Sequence, residues 1–261
     1  MNKRFLFEFL DLGWLPDSLL LTLRDVLELC LEDRFLGYYR SVVDELLEIV
    51  SREGETNLME LGAGTAPLSR RLALRLQSRG SSPLVVEVSD LYPDHDLYRA
   101  LEKEFPGVVK PHYQPVDFAR TLPAKSGSLL VFSASFHHIP FEQRMAVLQT
   151  LAEHRVVVFE PVRPNLWAVL LCMLDFFPGL LTPLFFLKKR TSGHGRRFLW
   201  CWAIPIAGLM VGWDGIVSLL RVWRPDEWQQ YFETATNGKN KTLKVSTWRL
   251  GQRVEWSPTN R

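Results

Sequence analysis

The sequence predicts an α/β fold in which helices flank a doubly wound, mostly parallel sheet of seven strands. Short apolar or β-branched runs alternate with helical patterns between residues 56 and 163. The first run opens into the turn Gly62-Ala-Gly64, and acidic or histidine residues follow the later runs. Such alternation is typical of Rossmann-like sheets in which helices connect neighbouring parallel strands.

The individual elements of this core can be placed from apolar spacing and from the turn residues between the runs. Five strands are predicted, at residues 57–60, 84–89, 113–118, 128–133 and 155–160. Three helices are predicted between them, at residues 68–76, 96–105 and 142–153. The fourth strand is apolar throughout, as expected for the middle of a parallel sheet that is covered on both faces.

The segments outside this core have different patterns. Residues 1–55 read as amphipathic helices, and 164–223 form an apolar insertion after the fifth strand. A helix beginning near Arg224 and strands at 244–250 and 253–256 complete the sheet. We therefore divide the chain into four parts. They are an N-terminal helical cap (1–55), a Rossmann-like core (56–163), a helical insertion (164–223) and a sheet-completing end (224–261).

The glycine turn narrows the class of ligand. Glu60 stands two residues before Gly62, and Pro67 occupies the place of the third glycine of a dinucleotide-binding loop. Proline suits the first turn of a helix but disfavours a pyrophosphate turn. The pattern resembles the loop of class I S-adenosylmethionine (SAM)-dependent methyltransferases. The segment 134–140 is similar to the loop after strand four in their small-molecule and quinone branch. The resemblance covers residues 56–163 and 224–256.

The resemblance implies SAM as the cofactor, bound outside the carboxyl ends of the strands, where ligands of such sheets lie. It places Asp90 on the ribose hydroxyls, as an acid after the second strand does in nucleotide-binding folds, and Asp117 on the adenine amino group. The predicted cofactor-binding residues are Glu60, Gly62, Ala63, Gly64, Asp90, Leu91, Asp117, Phe118 and Ser133.

His137 and His138 are the candidate catalytic residues. Methyl transfer depends mainly on holding the nucleophile in line with the methyl group. A nucleophile that carries a proton also needs a base, and histidine suits that task near neutral pH. The alternative is that one or both histidines cap the following helix or pack below the cofactor.

The insertion contains two apolar segments, 166–187 and 198–212, separated by a basic stretch at 188–197. The first is long enough for a bilayer, which takes about 20 residues, but it contains Asp175 and two prolines. We therefore do not expect a transmembrane hairpin. Three alternatives remain open: a lid over the substrate site, a homodimer interface, or peripheral contact with one membrane leaflet through the basic loop.

Composition limits the remaining classes. The net charge is +2 and charges of both signs are mixed, which does not indicate a nucleic-acid binder. Cys30, Cys172 and Cys201 lack metal-ligand spacing, so we expect no metal site and a reduced, cytoplasmic setting with buried thiols. The basic start of the chain lacks a cleavage site, and no signal peptide is expected.

These patterns favour a SAM-dependent methyltransferase that acts on a small, hydrophobic acceptor. A protein of the same fold that binds SAM or S-adenosylhomocysteine without catalysis, as a scaffold or partner subunit, is the alternative. An NAD(P)-dependent enzyme is disfavoured by Pro67 and the missing third glycine.

Overall fold

The structure is a computed structural model of the chain. It describes residues 6–32, 36–80, 83–118, 120, 122, 127–188, 193–237, 242–248 and 251–258. The chain divides into two compact units. The helical unit comprises Met1–Tyr38 and Val162–Val222, and the sheet unit comprises Tyr39–Pro161 and Trp223–Arg261.

The sheet unit is built on one seven-stranded sheet with the order β3-β2-β1-β4-β5-β7-β6. The strands are β1 (Asn57–Leu61), β2 (Val85–Ser89), β3 (Val109–Pro111), β4 (Leu129–Ser133), β5 (Arg155–Glu160), β6 (Thr242–Trp248) and β7 (Gly251–Ser257). Strands β1 to β5 pair in parallel, whereas β7 is antiparallel to both β5 and β6. The predicted doubly wound, mostly parallel sheet of seven strands is confirmed.

The helices occupy both units. They are α1 (Asp17–Leu31), α2 (Tyr38–Glu53), α3 (Pro67–Ser78), α4 (His95–Glu104), α5 (Arg144–Leu151), α6 (Leu166–Leu174), α7 (Phe176–Lys188), α8 (His194–Phe198), α9 (Ala207–Arg221) and α10 (Pro225–Ala235). Two short 3₁₀ turns lie at Phe9–Asp11 and Phe136–His138, and a π-helical turn at Leu199–Ala203. Helix α2, which the sequence division places in the N-terminal cap, lies in the sheet unit from Tyr39 onward.

The core of the sheet unit lies on the central strands. Leu130 and Phe132 of β4 and Val156 and Val158 of β5 are fully buried. Because the central strands are buried, their sequences are continuous apolar runs, which is why the sequence predicts them well.

Helix α3 begins with Pro67 at its first position, where the missing N–H costs no hydrogen bond.

The predicted third strand is wrong. The strand is Val109–Pro111, and residues 113–118 form a loop that carries Asp117. Proline cannot donate to a sheet hydrogen bond, but β3 is an edge strand, where this loss is tolerated. The pairing extends through the N–H of His112, which donates to the Val88 carbonyl at 2.8 Å.

The helical unit packs small residues inward. Cβ atoms added to Gly179 and Gly208 would lie 2.7 Å from the Cα of Gly208 and 2.8 Å from the Cα of Phe176, respectively. A Cβ on Gly212 would lie 2.6 Å from the carbonyl oxygen of Cys172. Helix α9 therefore packs backbone against backbone with α6 and α7. All three cysteines belong to this unit and are free and buried.

Among the described residues, no single helix is long and apolar enough to cross a bilayer. Two bent helix pairs reach that length and composition together. They are Leu166–Leu174 with Phe176–Leu187, bent by 46°, and His194–Ala203 with Ala207–Arg221, bent by 80°.

Gly251 permits the antiparallel closure of the sheet, and its replacement tests that closure. A Cβ at this position would lie 1.8 Å from the Glu160 carbonyl oxygen, so Gly251→Ala forces β7 away from β5. We expect a loss of about 1–3 kcal/mol in the free energy of unfolding, or more. Chemical denaturation measures it. Gly13→Ala, where nothing lies within 4 Å, is the control and should change stability by less than about 0.5 kcal/mol. Equal stability of the two variants would contradict this packing.

Candidate functional site

The turn after β1 has a backbone that only glycine adopts easily. Gly62 and Gly64 have φ angles of +67° and +54°, in the left-handed region. A Cβ on Gly62 would lie 3.1 Å from the Cβ of Ser135, whereas nothing lies within 4 Å of a Cβ on Gly64. The turn is therefore tightly packed on one side and open at Gly64. The Ala63 N–H donates to the Ser89 carbonyl at 3.0 Å and fixes the turn to the end of β2.

Asp90 joins this turn to the second strand. Its Oδ2 accepts the N–H of Gly64 at 2.7 Å, and its Oδ1 accepts the N–H of Tyr92 at 2.8 Å. The carboxylate is partly exposed. Because each carboxylate oxygen can accept more than one hydrogen bond, Asp90 retains acceptor capacity for a hydroxyl-bearing ligand. The predicted residues Gly62, Ala63, Gly64 and Asp90 thus lie together.

The other residues predicted to bind the cofactor lie around the glycine turn and Asp90. The Val116 N–H donates to the Asp90 carbonyl at 2.9 Å, which holds Asp117 and Phe118 beside the end of β2. The Asp117 carboxylate lies 3.3 Å from the guanidinium of Arg120. The Phe118 ring packs against the ring of Phe132. It would lie 3.9 Å from a Cβ atom added to Gly62. Leu91 is 41% exposed next to Asp90. Ser133 ends β4, two residues before Ser135, whose Oγ donates to the Leu61 carbonyl at 3.0 Å.

Glu60 lies beneath the turn. Its carboxyl is buried and accepts the backbone N–H of Ser69 at 3.2 Å as well as the Ser69 hydroxyl. Ser69 is the third residue of α3, so the carboxyl satisfies one of the free N–H groups at the start of that helix. Burial raises the pKa of Glu60 to about 7, against the lowering effect of the Ser69 hydrogen bonds, and the charge of Asp90 adds to the rise.

The two histidines differ in their surroundings. His137 is buried, and its Nδ1 lies 2.6 Å from Oε2 of Glu160, while its backbone N–H donates to Oε1 at 3.1 Å. His138 is exposed, with its ring centroid 4.3 Å from that of His137. Because an ionised carboxylate can only accept, this contact is made with a proton on Nδ1 of His137.

Four further residues shape this region without a clear signal in the sequence. Ser69 and Ser135 fix the turn as described, and Arg144 donates to the carbonyls of His137 and Ile139 at 2.8 and 2.9 Å. Tyr98 on α4 has a buried hydroxyl with no hydrogen-bond partner among the described residues. Burial raises its pKa well above the ordinary value, and the nearby carboxyls, Asp90 first, raise it further. Helical spacing marks Tyr98 only as a core residue, which is why sequence patterns miss its polar end.

An open hollow of about 500 Å³ lies elsewhere in the sheet unit, lined by residues of α2 and by Arg79. Its lining is mostly charged and exposed. Ligand sites in open parallel sheets lie at the carboxyl ends of the strands, and this hollow offers no glycine turn. We therefore place the candidate site at the glycine turn, Gly62 to Gly64, and the neighbouring Asp90.

Comparisons with known proteins agree with this geometry at the level of the fold. No family model matches the sequence, and no curated protein matches it either. The chain is similar to the S-adenosylmethionine-dependent methyltransferase SibL, with a TM-score of 0.50, 13% identity and coverage of 84% of this chain and 54% of SibL. It is also similar to the small RNA methyltransferase HEN1, with a TM-score of 0.52, 11% identity and coverage of 85% of this chain and 25% of HEN1.

LepI in complex with SAM also matches, with a TM-score of 0.43, 16% identity and coverage of 82% of this chain and 46% of LepI. The chain thus spans about half the length of LepI and SibL and a quarter of HEN1. The sheet order and the SibL and HEN1 matches define the architecture. The fold is that of the class I SAM-dependent methyltransferases.

The raised pKa of Glu60 predicts a pH dependence of stability. The Glu60 carboxyl keeps its proton up to about pH 7 in the folded state, whereas it releases the proton near pH 4.5 in the unfolded chain. The folded state therefore binds more protons between these values, and its stability falls as the pH rises through that window. Glu60→Gln removes this contribution, so the decline in the free energy of unfolding between pH 4.5 and 7 should be shallower by on the order of 2 kcal/mol.

Urea unfolding at a series of pH values measures the decline. Ser69→Ala is the companion variant, because it removes a hydrogen bond to the charged carboxylate and should extend the decline to higher pH. An unchanged slope in Glu60→Gln would contradict this assignment.

Proposed function

We propose that the protein is a SAM-dependent methyltransferase that acts on a small, hydrophobic acceptor. The observation that supports this most is the left-handed glycine turn held to Asp90 by the Gly64 N–H. The same fold occurs in SibL, a SAM-dependent methyltransferase, although SibL is longer than this chain. The fold, the turn and the acidic strand end together favour a sulfonium nucleoside as the ligand.

The residues present fit this cofactor. The open side of Gly64 lets a ligand approach the backbone where a side chain would stand. In the proposal Gly62, Ala63 and Gly64 contact the amino-acid end of SAM, and Asp90 accepts hydrogen bonds from its ribose hydroxyls. Leu91 and Phe118 supply apolar surface for the adenine, and Asp117 lies near the adenine amino group. Ser133, at the end of β4, lies below the cofactor. Glu60 acts through Ser69, by fixing helix α3 beneath the turn.

SAM supplies a methyl group on a positively charged sulfur. The residues of this chain then orient the acceptor and remove its proton as the acceptor atom becomes methylated. In the proposal His137 takes that proton at Nε2, since Glu160 already occupies Nδ1. Glu160 is a positioning residue that fixes the ring and stabilises its positive charge after the transfer. His138 is the second candidate base, because it follows the same strand and its ring lies close to that of His137.

The hydrophobic acceptor class is supported by composition. The insertion at 164–223 is rich in apolar residues, and many of its large apolar side chains are exposed. A lipid, a quinone, a polyketide or an aromatic metabolite would each suit this class. The chemistry shared by all of them is an oxygen, nitrogen or carbon nucleophile on an apolar skeleton.

Cofactor binding tests the glycine turn and Asp90 directly. Titration calorimetry should detect binding of SAM and S-adenosylhomocysteine but not of NADH. Asp90→Ala removes two charge-assisted hydrogen bonds to the ribose, each worth about 1.5–3 kcal/mol, and should weaken binding at least roughly tenfold. Asp96→Ala, which removes an exposed carboxylate on α4, is the matched control and should bind normally. Binding of NADH alone, or wild-type affinity in Asp90→Ala, would overturn the cofactor assignment.

Turnover tests the histidines and the acceptor class together. Tritium from the methyl group of labelled SAM should enter the organic phase of a cell extract and not its aqueous phase. His137→Gln should lower that rate by about 10²–10⁴-fold, the usual contribution of a general base. Glu160→Gln should lower it less and shift the pH–rate profile, which loss of structure alone would not do. If His138→Gln gives the large loss instead, His138 is the base. SAM binding without transfer to any extract would indicate the non-catalytic alternative.

A further inference from the structure

The helical unit exposes large apolar side chains over most of its insertion. On α6 only Ala168 and Cys172 are buried, and both face α9. On α7 the exposed positions Phe177, Leu181 and Leu184 recur at helical spacing, on one face. The large apolar residues of this insertion that are at least one-third exposed are Leu166, Trp167, Leu170, Leu171, Met173, Leu174, Phe177, Leu181, Leu184, Leu187, Phe198, Leu199, Trp202, Ile204, Leu209 and Trp213.

Contacts join several of these residues across the bent helix pairs. The indole N–H of Trp202 donates to the Leu180 carbonyl at 2.8 Å, which joins the π-helical turn to α7. Phe198 and Trp202 contact each other with ring centroids 5.8 Å apart. Helix α9 continues the region with Leu209, next to the glycine that packs on α7. Connected apolar patches of this size mark an interaction surface.

The insertion combines close glycine contacts with an exposed apolar surface. Gly208 and Gly212 on α9 face α6 and α7 at backbone distance, and Gly179 faces Gly208 in return. Phe186 and Val211 are buried, but many other large apolar side chains of these helices are exposed. This arrangement is typical of helices that pack together in lipid, where a glycine every fourth residue permits close approach.

The two carboxylates of the insertion have partners within the helical unit. Asp175, at the 46° bend, is the one carboxylate between residues 164 and 213, and its Oδ1 lies 3.6 Å from the buried thiol of Cys30. Asp214 is buried and accepts the N–H groups of Phe9 and Leu10 at 2.6 and 3.1 Å. Residues 166–174 and 176–187, which carry the apolar face of α6 and α7, contain no charged residue.

The charged residues that the insertion itself contributes between 176 and 213 are all basic. Residues 176–213 contain five Lys or Arg and no Asp or Glu. Arg196 and Arg197 both pair with Asp25 on α1, and Lys188 ends α7. Residues 189–192 of the predicted basic loop lie outside the described residues. A basic segment beside an apolar face complements anionic lipid head groups.

We propose that the exposed face of α6, α7, the π-helical turn and the start of α9 inserts into one leaflet of a membrane that contains anionic lipids. The bent pairs suit a segment that enters and leaves the same leaflet, because neither contains one straight helix of spanning length. A second copy of the chain suits the face less well, since its residues 176–213 contain no acidic group to complement the basic stretch, whereas anionic head groups do. This inference shares the exposed apolar residues of the insertion with the proposed acceptor class, but it does not rest on SAM binding or methyl transfer.

Flotation of the full chain with lipid vesicles tests the proposal. The protein should float with vesicles of phosphatidylcholine and phosphatidylglycerol, and less with phosphatidylcholine alone. The double variant Leu181→Glu, Leu184→Glu should weaken binding to both by roughly a hundredfold, because it places two charges in the apolar face. Leu74→Glu is the matched control, since Leu74 is an equally exposed leucine on α3 of the sheet unit, and it should float as the wild type does.

A second variant probes the basic stretch without altering the apolar face. Changing Lys188, Lys189 and Arg190 to Gln should reduce binding to the anionic vesicles roughly a hundredfold and leave binding to phosphatidylcholine unchanged. Absence of wild-type flotation overturns the proposal whatever the variants do. A stable dimer in solution that the Leu181→Glu, Leu184→Glu variant splits, without vesicle binding, shows that a second copy covers the face instead. S-adenosylhomocysteine binding in the same preparations reports separately on the proposed function.

Discussion

The candidate site depends on one constraint, the left-handed turn that must fit between the ends of β1 and β2. Parallel pairing puts Leu61 opposite Ser89, so the chain leaves both strands at the same edge. Only glycine adopts the required φ at positions 62 and 64 without strain. Asp90 then fixes the turn from the side, and Glu60 fixes helix α3 from below through Ser69. Every other candidate cofactor residue is placed relative to this turn.

The two units differ in the surface that they expose. In the sheet unit large apolar side chains are inside, as in water-soluble proteins, and charged residues cover the surface. The helical unit also buries leucine and valine side chains of α1 and α9, but many leucine, phenylalanine and tryptophan side chains of its insertion are exposed. The mean hydropathy of the chain, −0.02, is therefore an average over two units with different surfaces.

The sequence predicts what is encoded locally. The apolar runs of β1, β4 and β5 are buried on both faces, and the glycine turn has a distinct pattern, so the fold follows from them. Strand β3 was misplaced because it is a three-residue edge strand ending in Pro111, which carries no β-pattern. The contact between Glu160 and His137 could not be predicted, since it depends on the pairing of β4 with β5 and joins residues 23 positions apart. The exposure of many apolar side chains of the insertion could not be predicted either, because composition shows that residues are apolar but not which way they face.

The central claim is that a sulfonium nucleoside binds across the glycine turn and Asp90. The most direct measurement is a crystal structure of the protein grown with S-adenosylhomocysteine. The account predicts density for the product in the crevice beside Gly64, with the ribose hydroxyls within hydrogen-bond distance of the Asp90 carboxylate. Clear density for the product at another place, or a crevice left without it at saturating concentration, would contradict the account.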